Sequence, residues 1–499
     1  MMLQDYLTHA ARFDARRPAY DDGGVEVTYG EAAARIRRAA GALARQGLQP
    51  GAHVAVLAEN GPFFLEAYFA CAVAGLVAAP LNTRLSAGEI AFMLEDGACQ
   101  AVLHDAQTAD LVAAAGGPRP ISEALWRSFR AEGEAYAGPD ARDPAALAHL
   151  CYTGGTTGRP KGVMLSHGNV AASTMNKLVL GKFQRDDVWL HAAPMFHQAD
   201  SWATFAFTAL GARHVFLPRF NAEAAIRLIA DARVTSFQLV PTMIVLMLEA
   251  AGATPPDLSS LRRILYGSAP MPVATLERAE AVFGPVFQHI YGLTEAAGTV
   301  AAAPMPEIPV EVAGERRKSC GQPIIGVDIR IADRQGLALA PGVVGHIQAR
   351  GANVMTGYWN RPEESQAAFV DGWLDTGDLG RMDEDGFLFI VDRAKDMIIT
   401  GGENVYSAEV ENVLYRHPDI LEAAVIGLAD ERWGEAVTAA VVRRPGRTLA
   451  ESDVIAHCRA ALSGYKTPKR VHFLEALPKS GAGKILKPEL RKALVRLDA

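Results

Sequence analysis

The segment from Tyr152 to Gly162 combines residue types that are suited to binding phosphate. It contains four glycines, three threonines and one lysine. Glycine lets backbone N–H groups turn toward an anion without an obstructing Cβ, threonine hydroxyls add donors, and Lys161 adds a positive charge. We therefore expect a phosphate-binding loop whose contacting residues are Thr153, Gly154, Gly155, Thr156, Thr157, Gly158 and Lys161.

This segment is not the common phosphate loop that leads into a helix. The pattern G-x-x-x-x-G-K-[ST] is not matched, and Pro160 stands directly before Lys161. A helix that began there would not easily accommodate that proline. A flexible surface turn rich in glycine and threonine is the alternative interpretation.

The composition limits the class of protein. The chain has 499 residues and a formal net charge of −7, so it lacks the overall basic excess of a nucleic-acid-binding protein. From Arg459 to Ala499, however, ten lysines and arginines face only three acidic residues. This basic segment is either a solvated surface or a contact for a polyphosphate ligand.

The cysteines and the apolar runs predict a cytoplasmic protein. The five cysteines show no C-x-x-C or metal-ligand spacing, as expected for buried thiols in a reducing compartment. The first 18 residues lack the apolar segment of a signal peptide. The longest uncharged apolar run, between Glu66 and Arg84, is interrupted by Gly75 and Pro80, which predicts a buried helix and strand instead of an integral membrane segment.

The elements that must position the loop alternate between helix and strand. Strand patterns such as His53 to Ala58 and Ser236 to Val240 alternate with alanine-rich helical patterns such as Glu31 to Gln46. This alternation predicts a large N-terminal layered α/β domain with largely parallel sheets. The segment from Gly116 to Pro139 has a weaker pattern and is interpreted as a surface excursion.

The pattern changes after about Val312. Short strands joined by glycine-rich turns predict a β-rich subdomain that closes the large domain, and the last 105 or so residues predict a small C-terminal α+β domain. We place the boundary between an N-terminal domain of residues 1–392 and a C-terminal domain of residues 393–499.

Seven further segments are dense in glycine and polar residues, and together with the loop they resemble the adenylate-forming family of acyl-CoA synthetases, adenylation domains and beetle luciferases. The eight segments occur in the family's order over essentially the whole chain. One departure is Gly154, where many relatives have serine. The seven segments are Pro194–His197, Tyr266–Pro270, Tyr291–Glu295, Asp375–Asp378, Asp392–Asp396, Gly401–Asn404 and Pro478–Lys484.

The resemblance implies a two-step reaction with ATP, Mg²⁺ and coenzyme A. A carboxylate attacks the α-phosphate of ATP to give an acyl-adenylate and pyrophosphate, and the thiol of coenzyme A then displaces AMP. In-line attack at phosphorus depends on positioning and charge neutralisation more than on covalent help. The reaction implied is that of an AMP-forming acid–CoA ligase.

The resemblance assigns roles around the phosphates and the metal. Lys161 and the loop amides are expected to hold the β- and γ-phosphates, and Thr294 is expected to donate to the α-phosphate. Glu295 is the expected Mg²⁺ ligand, with Thr153 as an additional contact, because Mg²⁺ prefers oxygen ligands. A solvated turn carboxylate is the alternative interpretation of Glu295.

The adenosine contacts are also implied by the resemblance. Asp378 is expected to accept hydrogen bonds from the ribose hydroxyls, with Arg393 as a second polar anchor. Tyr291 is expected to stack on adenine, although a core aromatic is the alternative. The remaining expected nucleotide contacts are Gly267, Ser268, Ala269 and Gly292.

The C-terminal segments are implied to act through domain rotation. Lys484 corresponds to the family's lysine that neutralises charge on the carboxylate and α-phosphate during adenylation, and a residue of the basic tail is the alternative. Lys395 stands at the family's hinge between the two half-reactions. Gly401 and Gly402 stand where relatives bring their backbone close to the thiol arm of coenzyme A.

The segment around His197 bears on the acid. Amino-acid-activating relatives have an aspartate at this position to pair with the substrate ammonium, whereas His197 does not suit a cation and is expected to gate the acyl site. A satisfied core histidine is the alternative. Apolar residues nearby fit an aliphatic or aryl acid, so a medium- or long-chain fatty acid and a cinnamate-like acid both remain open. These residues are Met195, Phe196, Trp202, Val240, Met243 and Leu246, with Gly267 leaving depth.

Two other classes of function remain as alternatives. An NTPase would need a Mg²⁺-binding serine or threonine after Lys161, where this chain has Gly162. A non-catalytic nucleotide-binding module would not require Lys484 and Glu295 to be retained. The expected partners are small molecules, namely the acid, ATP and coenzyme A, with no nucleic acid. A homodimer is one option for the oligomeric state.

Overall fold

The computed structural model of the chain describes residues 1–139, 142–153, 160–252, 256–269, 271, 273–303, 314–430, 432–479 and 485–498. All five cysteines are buried, and none forms a disulfide. Within these ranges, no helix combines the length and the apolar character needed to cross a membrane.

Serine and threonine caps fix where many of the helices begin. The side chains of Thr28, Ser86, Ser122 and Ser166 each accept a hydrogen bond from the backbone N–H three residues later, which satisfies a donor that the helix itself leaves unpaired. The described helices are α1 (Leu3–Phe13), α2 (Tyr29–Arg45), α3 (Pro62–Ala74), α4 (Ala87–Asp96), α5 (Ala109–Ala115), α6 (Glu123–Glu132), α7 (His167–Gly181), α8 (Gln198–Leu210), α9 (Ala222–Asp231), α10 (Pro241–Ala251), α11 (Val273–Phe283), α12 (Pro362–Ala367), α13 (Ser407–Leu414), α14 (Glu451–Ala461) and α15 (Lys487–Asp498).

Three strands, His53–Leu57, Val77–Pro80 and Ser236–Leu239, are buried along their whole length, as expected where helices cover both faces of a parallel sheet. The described strands are β1 (Pro18–Asp21), β2 (Glu26–Thr28), β3 (His53–Leu57), β4 (Val77–Pro80), β5 (Cys99–His104), β6 (Pro120–Ser122), β7 (Leu147–Thr153), β8 (Lys161–Ser166), β9 (Val188–His191), β10 (Arg213–Phe216), β11 (Ser236–Leu239), β12 (Arg263–Gly267), β13 (Phe287–Leu293), β14 (Gly298–Ala302), β15 (Gln322–Pro323), β16 (Val327–Ala332), β17 (Gly345–Gly351), β18 (Gly357–Tyr358), β19 (Phe369–Val370), β20 (Trp373–Met382), β21 (Leu388–Arg393), β22 (Ile398–Thr400), β23 (Glu403–Val405), β24 (Ile420–Asp430), β25 (Gly434–Arg443) and β26 (Arg470–Phe473).

Two mixed sheets form the centre of the large domain. In the first, the described strands have the order β18-β8-β7-β4-β3-β5-β6, and in the second the order is β10-β9-β11-β12-β13-β14-β15. Pairing is parallel from β7 to β6 and from β10 to β13, whereas β8, β14, β15 and β18 pair antiparallel. The predicted layered α/β architecture is confirmed, with antiparallel strands added at one end of each sheet.

The β-rich part and the C-terminal unit follow in chain order. Strands β16, β17, β20, β19 and β21 form an antiparallel sheet. Strands β22 to β26 form a mixed sheet whose centre is the long antiparallel β24–β25 pair, with β26 parallel to β25. Helices α13 and α14 cover one face of that last sheet, while α15 covers the other with Leu490 and Leu494. Strand β21 ends at Arg393, and the domain boundary at residues 392 and 393 stays a prediction.

The apolar run after Glu66 forms the predicted buried helix and strand. Helix α3 starts with Pro62 and ends where Gly75 takes a left-handed conformation with φ +70°, after which β4 begins. Proline suits the first helical position, and glycine adopts positive φ without the strain of a Cβ. Both elements lie in the core.

The segment from Gly116 to Pro139 is not a surface excursion, and that expectation is wrong. It contains β6 and α6, and α6 packs on α3 through a buried polar network. The carboxylate of Glu66 accepts hydrogen bonds from Arg130 at 2.9 Å and from Trp126 Nε1 and Tyr20 at 2.8 Å each. The ion pair compensates the burial of Glu66, but its partners lie far apart in the sequence and no local periodicity reveals them.

His149 on β7 is buried among aromatic rings. Its ring centroid is 5.0 Å from that of Tyr68 and 5.4 Å from that of Phe205, and its Nδ1 has no hydrogen-bond partner among the described residues. Burial lowers the pKa of His149 to about 3, with a smaller contribution from His167. The native protein therefore keeps this imidazole neutral.

We expect His149→Phe to reduce the acid sensitivity of the fold. Below pH of about 6.5 the unfolded chain protonates this histidine and the native chain does not, so the free energy of unfolding falls by about 1.4 kcal/mol per pH unit until the native pKa is reached. Between pH 6.5 and 5.0 the variant should lose about 2 kcal/mol less stability than the wild type. Urea unfolding at the two pH values measures the difference. Exposed His9→Gln is the control, and equal acid losses in all three proteins would refute the assignment.

Candidate active site

Thr153 and Lys161 face each other at the loop end of a hairpin. Strands β7 and β8 are antiparallel, and the last pair in their register is Thr153 with Lys161. Both ends of the predicted phosphate loop are therefore held at one point of the first sheet. The predicted contacts Gly154, Gly155, Thr156, Thr157 and Gly158 lie outside the described residues, and so does Lys484.

The structure brings Lys161 and Glu295 together through a residue that sequence reasoning missed. Lys161 Nζ lies 5.0 Å from the ring centroid of Tyr358, and the Tyr358 hydroxyl donates to Glu295 Oε1 at 3.0 Å. Tyr358 lies on β18, which pairs with β8 next to the loop. Burial, and then the charge of Glu295, raise the pKa of Tyr358, so this tyrosine remains a donor at neutral pH.

The signal that could have revealed Tyr358 is weak. It lies in the segment Thr356-Gly357-Tyr358-Trp359, which has no acidic or basic residue and was not singled out for chemistry. Gly357 has φ +145°, and a side chain there would meet Ser365 Oγ at 3.0 Å. A glycine in this conformation followed by two aromatic residues indicates a tightly packed turn. Only the pairing of β18 with β8 shows that this turn places Tyr358 beside Glu295.

Thr294 and Glu295 lie on a single turn of 3₁₀-helix that directly follows β13. The backbone of this turn is anchored at consecutive carbonyls: Met355 N–H donates to Glu295 O at 2.7 Å, and Asn353 Nδ2 donates to Ala296 O at 2.8 Å. Asn353 is fully buried. Because the turn is fixed by its backbone, the side chains of Thr294 and Glu295 are available for ligands at the end of the strand.

Mg²⁺ suits the donors at this turn. Glu295 offers a half-buried carboxylate that Tyr358 holds in one orientation. Mg²⁺ in phosphate-transfer sites is usually bound by one or two carboxylates together with substrate phosphates and water. Among the described side chains, no group of three or more histidines, cysteines or acidic residues forms a separate metal cage.

Asp378 is the centre of a second cluster. The Tyr291 hydroxyl donates to Asp378 Oδ2 at 2.7 Å, and Arg393 Nε lies 3.7 Å from Asp378 Oδ1. The β20–β21 pairing places Asp378 directly opposite Arg393. Burial, and then the charge of Asp378, raise the pKa of Tyr291 well above its usual value.

Tyr291 is largely buried, with 7% of its surface exposed, so its hydroxyl orients Asp378 while its ring packs in the core. Stacking of Tyr291 on adenine stays a prediction. Since Tyr291 lies in the last residues of β13 and Thr294 directly follows this strand, the two clusters lie at the same end of the second sheet. Open α/β sheets bind ligands at the carboxyl ends of their parallel strands.

Two of the predicted glycines are explained by backbone packing. A Cβ on Gly267 would lie 2.3 Å from Ile290 O, and a Cβ on Gly292 would lie 1.6 Å from Gly298 O. Gly267 therefore allows β12 to approach β13, a role distinct from the depth that we expected it to give the acyl site. Ser268 follows with φ +67°, a strained conformation for a residue with a side chain, and Ala269 continues the same edge.

His197 caps helix α8. Its Nδ1 accepts a hydrogen bond from Ala199 N–H at 3.1 Å, so in this arrangement Nδ1 carries no proton and the ring is neutral with its proton on Nε2. Buried Asn60 holds the preceding segment, because its side chain accepts from Met195 N–H at 2.8 Å and donates to Ala193 O at 2.9 Å. Sequence reasoning missed Asn60, since a lone asparagine far from the motif carries no signal.

The residues after β21 form a turn between the two parts of the chain. Asp396 N–H donates to Arg393 O at 3.0 Å, which places Lys395 inside this turn. Gly401 and Gly402 have φ +60° and +84°, and Gly401 N–H donates to Trp433 O at 2.8 Å. Among the described residues, no hydrogen bond joins Gly401 or Gly402 to the clusters around Glu295 and Asp378.

The comparisons with known proteins agree over nearly the whole chain. Residues 7–359 match the family model described as AMP-binding enzyme, and residues 409–484 match the AMP-binding enzyme C-terminal domain. The chain is 40% identical to feruloyl-CoA synthase of an Amycolatopsis species over 98% of both chains. It is 36% identical to the fatty acid–[acyl-carrier-protein] ligase ScoC of Streptomyces coeruleorubidus over 96% of this chain and 94% of that one. ATP-bound MatB from Rhodopseudomonas palustris has a similar fold, with a TM-score of 0.90 and 33% identity over 99% of each chain.

Proposed function

Because this chain belongs to the family of AMP-binding enzymes, we propose that it activates a hydrophobic aryl acid of the hydroxycinnamate kind. The chain is an ATP-dependent, AMP-forming acid–CoA ligase, which uses ATP, Mg²⁺ and coenzyme A. The aryl acid is favoured by the similarity to feruloyl-CoA synthase. A fatty acid is the second candidate, and the similarity to a fatty acid ligase supports it.

The observation that carries the adenylation chemistry is the alignment of Lys161, Tyr358 and Glu295. It places a positive charge and an oriented carboxylate on either side of one tyrosine, at the end of the predicted phosphate loop. We propose that Lys161, with the loop amides and Thr153, holds the β- and γ-phosphates. Glu295 would hold Mg²⁺, which supplies neutralising charge to the phosphates when it is bound.

The first half-reaction joins the acid to AMP. A carboxylate oxygen of the acid attacks the α-phosphorus, and the bond between this phosphorus and the oxygen leading to the β-phosphate breaks, so that pyrophosphate leaves. We propose that Thr294 donates to the α-phosphate and Lys484 neutralises the developing charge, since fixed donors in a water-excluded site stabilise such a transition state. Asp378, oriented by Tyr291 and Arg393, accepts from the ribose hydroxyls.

The second half-reaction transfers the acyl group. The coenzyme A thiolate attacks the acyl carbon, the carbon–sulfur bond forms, and AMP leaves with the electron pair of the broken acyl–oxygen bond. We propose that rotation about Lys395 brings Gly401 and Gly402 beside the thiol arm. Both glycines have left-handed backbone and no side chain. The pantetheine-like thiol arm of coenzyme A can therefore pass close to the backbone of this segment. The neutral ring of His197 would close the acyl site in the adenylating state.

Pyrophosphate release tests this proposal directly. The protein is incubated with ATP, Mg²⁺ and a panel of acids comprising short, medium and long fatty acids, benzoate and cinnamates, with and without coenzyme A. Release that requires a hydroxycinnamate, with thioester formed only when coenzyme A is present, supports the proposal. Release that requires a fatty acid favours the second candidate. Phosphate release without any acid would indicate an NTPase, and nucleotide binding without turnover would indicate a binding module.

We expect Tyr358→Phe to raise the Mg²⁺ concentration that adenylation requires. A hydrogen bond to a charged group contributes about 1.5–3 kcal/mol, so kcat/KM for pyrophosphate release at limiting Mg²⁺ should fall by about tenfold or more. Saturating Mg²⁺ should restore part of the loss because the metal then orders Glu295. Pyrophosphate release over a Mg²⁺ titration provides the measurement.

Tyr415→Phe is the matched control for this variant. It removes a hydroxyl of similar geometry, 3.1 Å from Ala423 O in the C-terminal unit, and should leave the Mg²⁺ titration unchanged. A wild-type Mg²⁺ titration in Tyr358→Phe would show that Tyr358 does not orient Glu295.

A further inference from the structure

Lys177 on helix α7 has a buried ammonium group that the proposed mechanism does not use. The residue is 2% exposed, its Nζ donates to Ala297 O at 3.1 Å, and Nζ lies 5.1 Å from the ring centroid of Trp202. Among the described residues, no carboxylate lies within ion-pair distance of Nζ, and Ala297 O is the acceptor that it reaches. Two of its three donors are therefore left without a protein acceptor there.

Burial of a lysine without a charged partner lowers the stability of the fold. Here the lysine is also not needed to provide a hydrogen-bond donor for the Ala297 carbonyl. Ser173 Oγ already donates to Ala297 O at 2.6 Å. Burial alone lowers the pKa of Lys177 to about 7, because the charged form loses its hydration inside the protein. A leucine or methionine would fill this space at a lower cost. The retained ammonium suggests a partner that enters from outside the chain.

The position of Nζ relates it to the acid. Ala297 and Gly298 directly follow the turn of Thr294 and Glu295, where the reacting carboxylate and the α-phosphate are proposed to meet. A Cβ on Gly298 would lie 2.6 Å from Lys177 Nζ, so the absence of a side chain there lets Nζ lie directly against the backbone that follows the turn. On the other side stands Trp202 of α8, one of the apolar residues that we expect to line the acyl site.

The ring of Trp202 is held in place by two hydrogen bonds and by the neighbouring rings of Trp189 and Phe183. Its Nε1 donates to Gln238 Oε1 at 3.0 Å and to Ala199 O at 3.2 Å, and both the indole and Gln238 are buried. The indole face is turned toward Lys177 as a result. An aromatic surface beside an unsatisfied cationic donor suits a ring that bears an oxygen.

We propose that Lys177 binds an oxygen substituent on the aromatic ring of the acid, at the end remote from the reacting carboxylate, and so selects hydroxylated aryl acids. This inference rests on the proposed function, because it assumes that an aryl acid enters beside Trp202. A phenolic oxygen accepts from the free N–H groups of Nζ, and the ring packs along the indole. A fatty acid or an unsubstituted aryl acid would displace water from the ammonium and leave its donors unpaired, which disfavours binding.

The test compares two acids that differ by one oxygen, 4-hydroxycinnamate and cinnamate. Pyrophosphate release with ATP and Mg²⁺ gives kcat/KM for each acid in the wild type and in Lys177→Met, which keeps the length and apolar contacts of the side chain. We expect the wild type to prefer 4-hydroxycinnamate. In Lys177→Met the preference should fall by about tenfold or more, because kcat/KM drops for the hydroxylated acid and not for cinnamate.

Ser173→Ala distinguishes selection of the hydroxylated acid from structural support of the turn at Ala297. Ser173 bonds to the same Ala297 carbonyl as Lys177 without presenting a cation, so its loss should change both acids by the same factor and leave the preference intact. Lys177→Gln, which retains a donor, should keep part of the preference and serves as the readout if the methionine variant does not fold, as judged by its thermal unfolding.

The outcomes distinguish this inference from the proposed function. A preference lost in Lys177→Met and kept in Ser173→Ala supports the inference. Equal losses for both acids in Lys177→Met, or a wild type that activates cinnamate and 4-hydroxycinnamate equally well, would overturn the inference and leave the aryl ligase standing. A wild type that activates only fatty acids would overturn both.

Discussion

Lys484→Ala is expected to remove adenylate formation while sparing thioester formation. The lysine is proposed to neutralise charge on the acid carboxylate and the α-phosphate as the phosphorus–oxygen bond forms, and this bond is already made when coenzyme A attacks a supplied adenylate. Removal of one preorganised donor to a developing charge typically reduces kcat by about a hundredfold to a thousandfold. Pyrophosphate release from ATP measures the first half-reaction, and AMP release from a supplied acyl-adenylate and coenzyme A measures the second.

The matched control for Lys484→Ala is Lys492→Ala. Lys492 is an exposed member of the same basic C-terminal segment and pairs only with Glu489, at 2.8 Å, among the described contacts. If the segment acts through its overall charge, both variants should weaken both half-reactions to a similar extent. If Lys484 acts at the reacting atoms, Lys492→Ala should behave like the wild type. Equal loss of both half-reactions in Lys484→Ala would contradict the assigned role.

Lys395→Pro is expected to show the opposite pattern. Proline fixes φ and disfavours helical backbone at the preceding Ala394, so the turn between β21 and β22 should no longer change conformation. Adenylation should stay within about threefold of the wild type, whereas thioester formation should fall by at least about a hundredfold because the thiol is no longer brought into line with the acyl carbon.

Two contacts beside this turn bear on the proposed rotation, and the bond from Ser407 to Asp392 spans Lys395, so we expect the rotation to break it. Asp392, which is buried, accepts hydrogen bonds from Ser407 at the start of α13, and Arg393 is held beside Asp378 of the large domain. Lys395→Ala keeps the backbone free and should support both half-reactions. Normal thioester formation in Lys395→Pro would contradict the assignment of Lys395 as the hinge.

The two variants together test whether Lys484 acts in adenylation and Lys395 in thioester formation. One should lose the first half-reaction and the other the second, and neither result follows from general destabilisation, which reduces both. Incubation of Lys395→Pro with purified acyl-adenylate and coenzyme A would also show, from the release of AMP, whether the defect lies in acyl transfer itself.

The sequence by itself determined the fold class and the identity of most of the chemistry. Alternating strand and helix patterns predicted the layered α/β architecture. The resemblance of eight segments to the adenylate-forming family implied ATP, Mg²⁺ and coenzyme A as ligands, and both signals are local in the chain. The strand predicted from Ser236 to Val240 is observed at Ser236–Leu239. The roles of the predicted site residues, including Lys161, Glu295 and Asp378, remain to be tested.

Only the tertiary structure decided which side chains hold those residues in place. Tyr358 reaches Glu295 because β18 pairs with β8, Asn60 supports the segment before His197, and Lys177 is buried against Ala297 because α7 packs beneath the turn that carries Glu295. The same holds for Glu66, whose partner Arg130 lies on a helix that the local pattern did not reveal. Each of these contacts joins residues distant in the sequence. Their energies come from desolvation and from hydrogen-bond geometry, which depend on packing and leave no periodic trace in the chain.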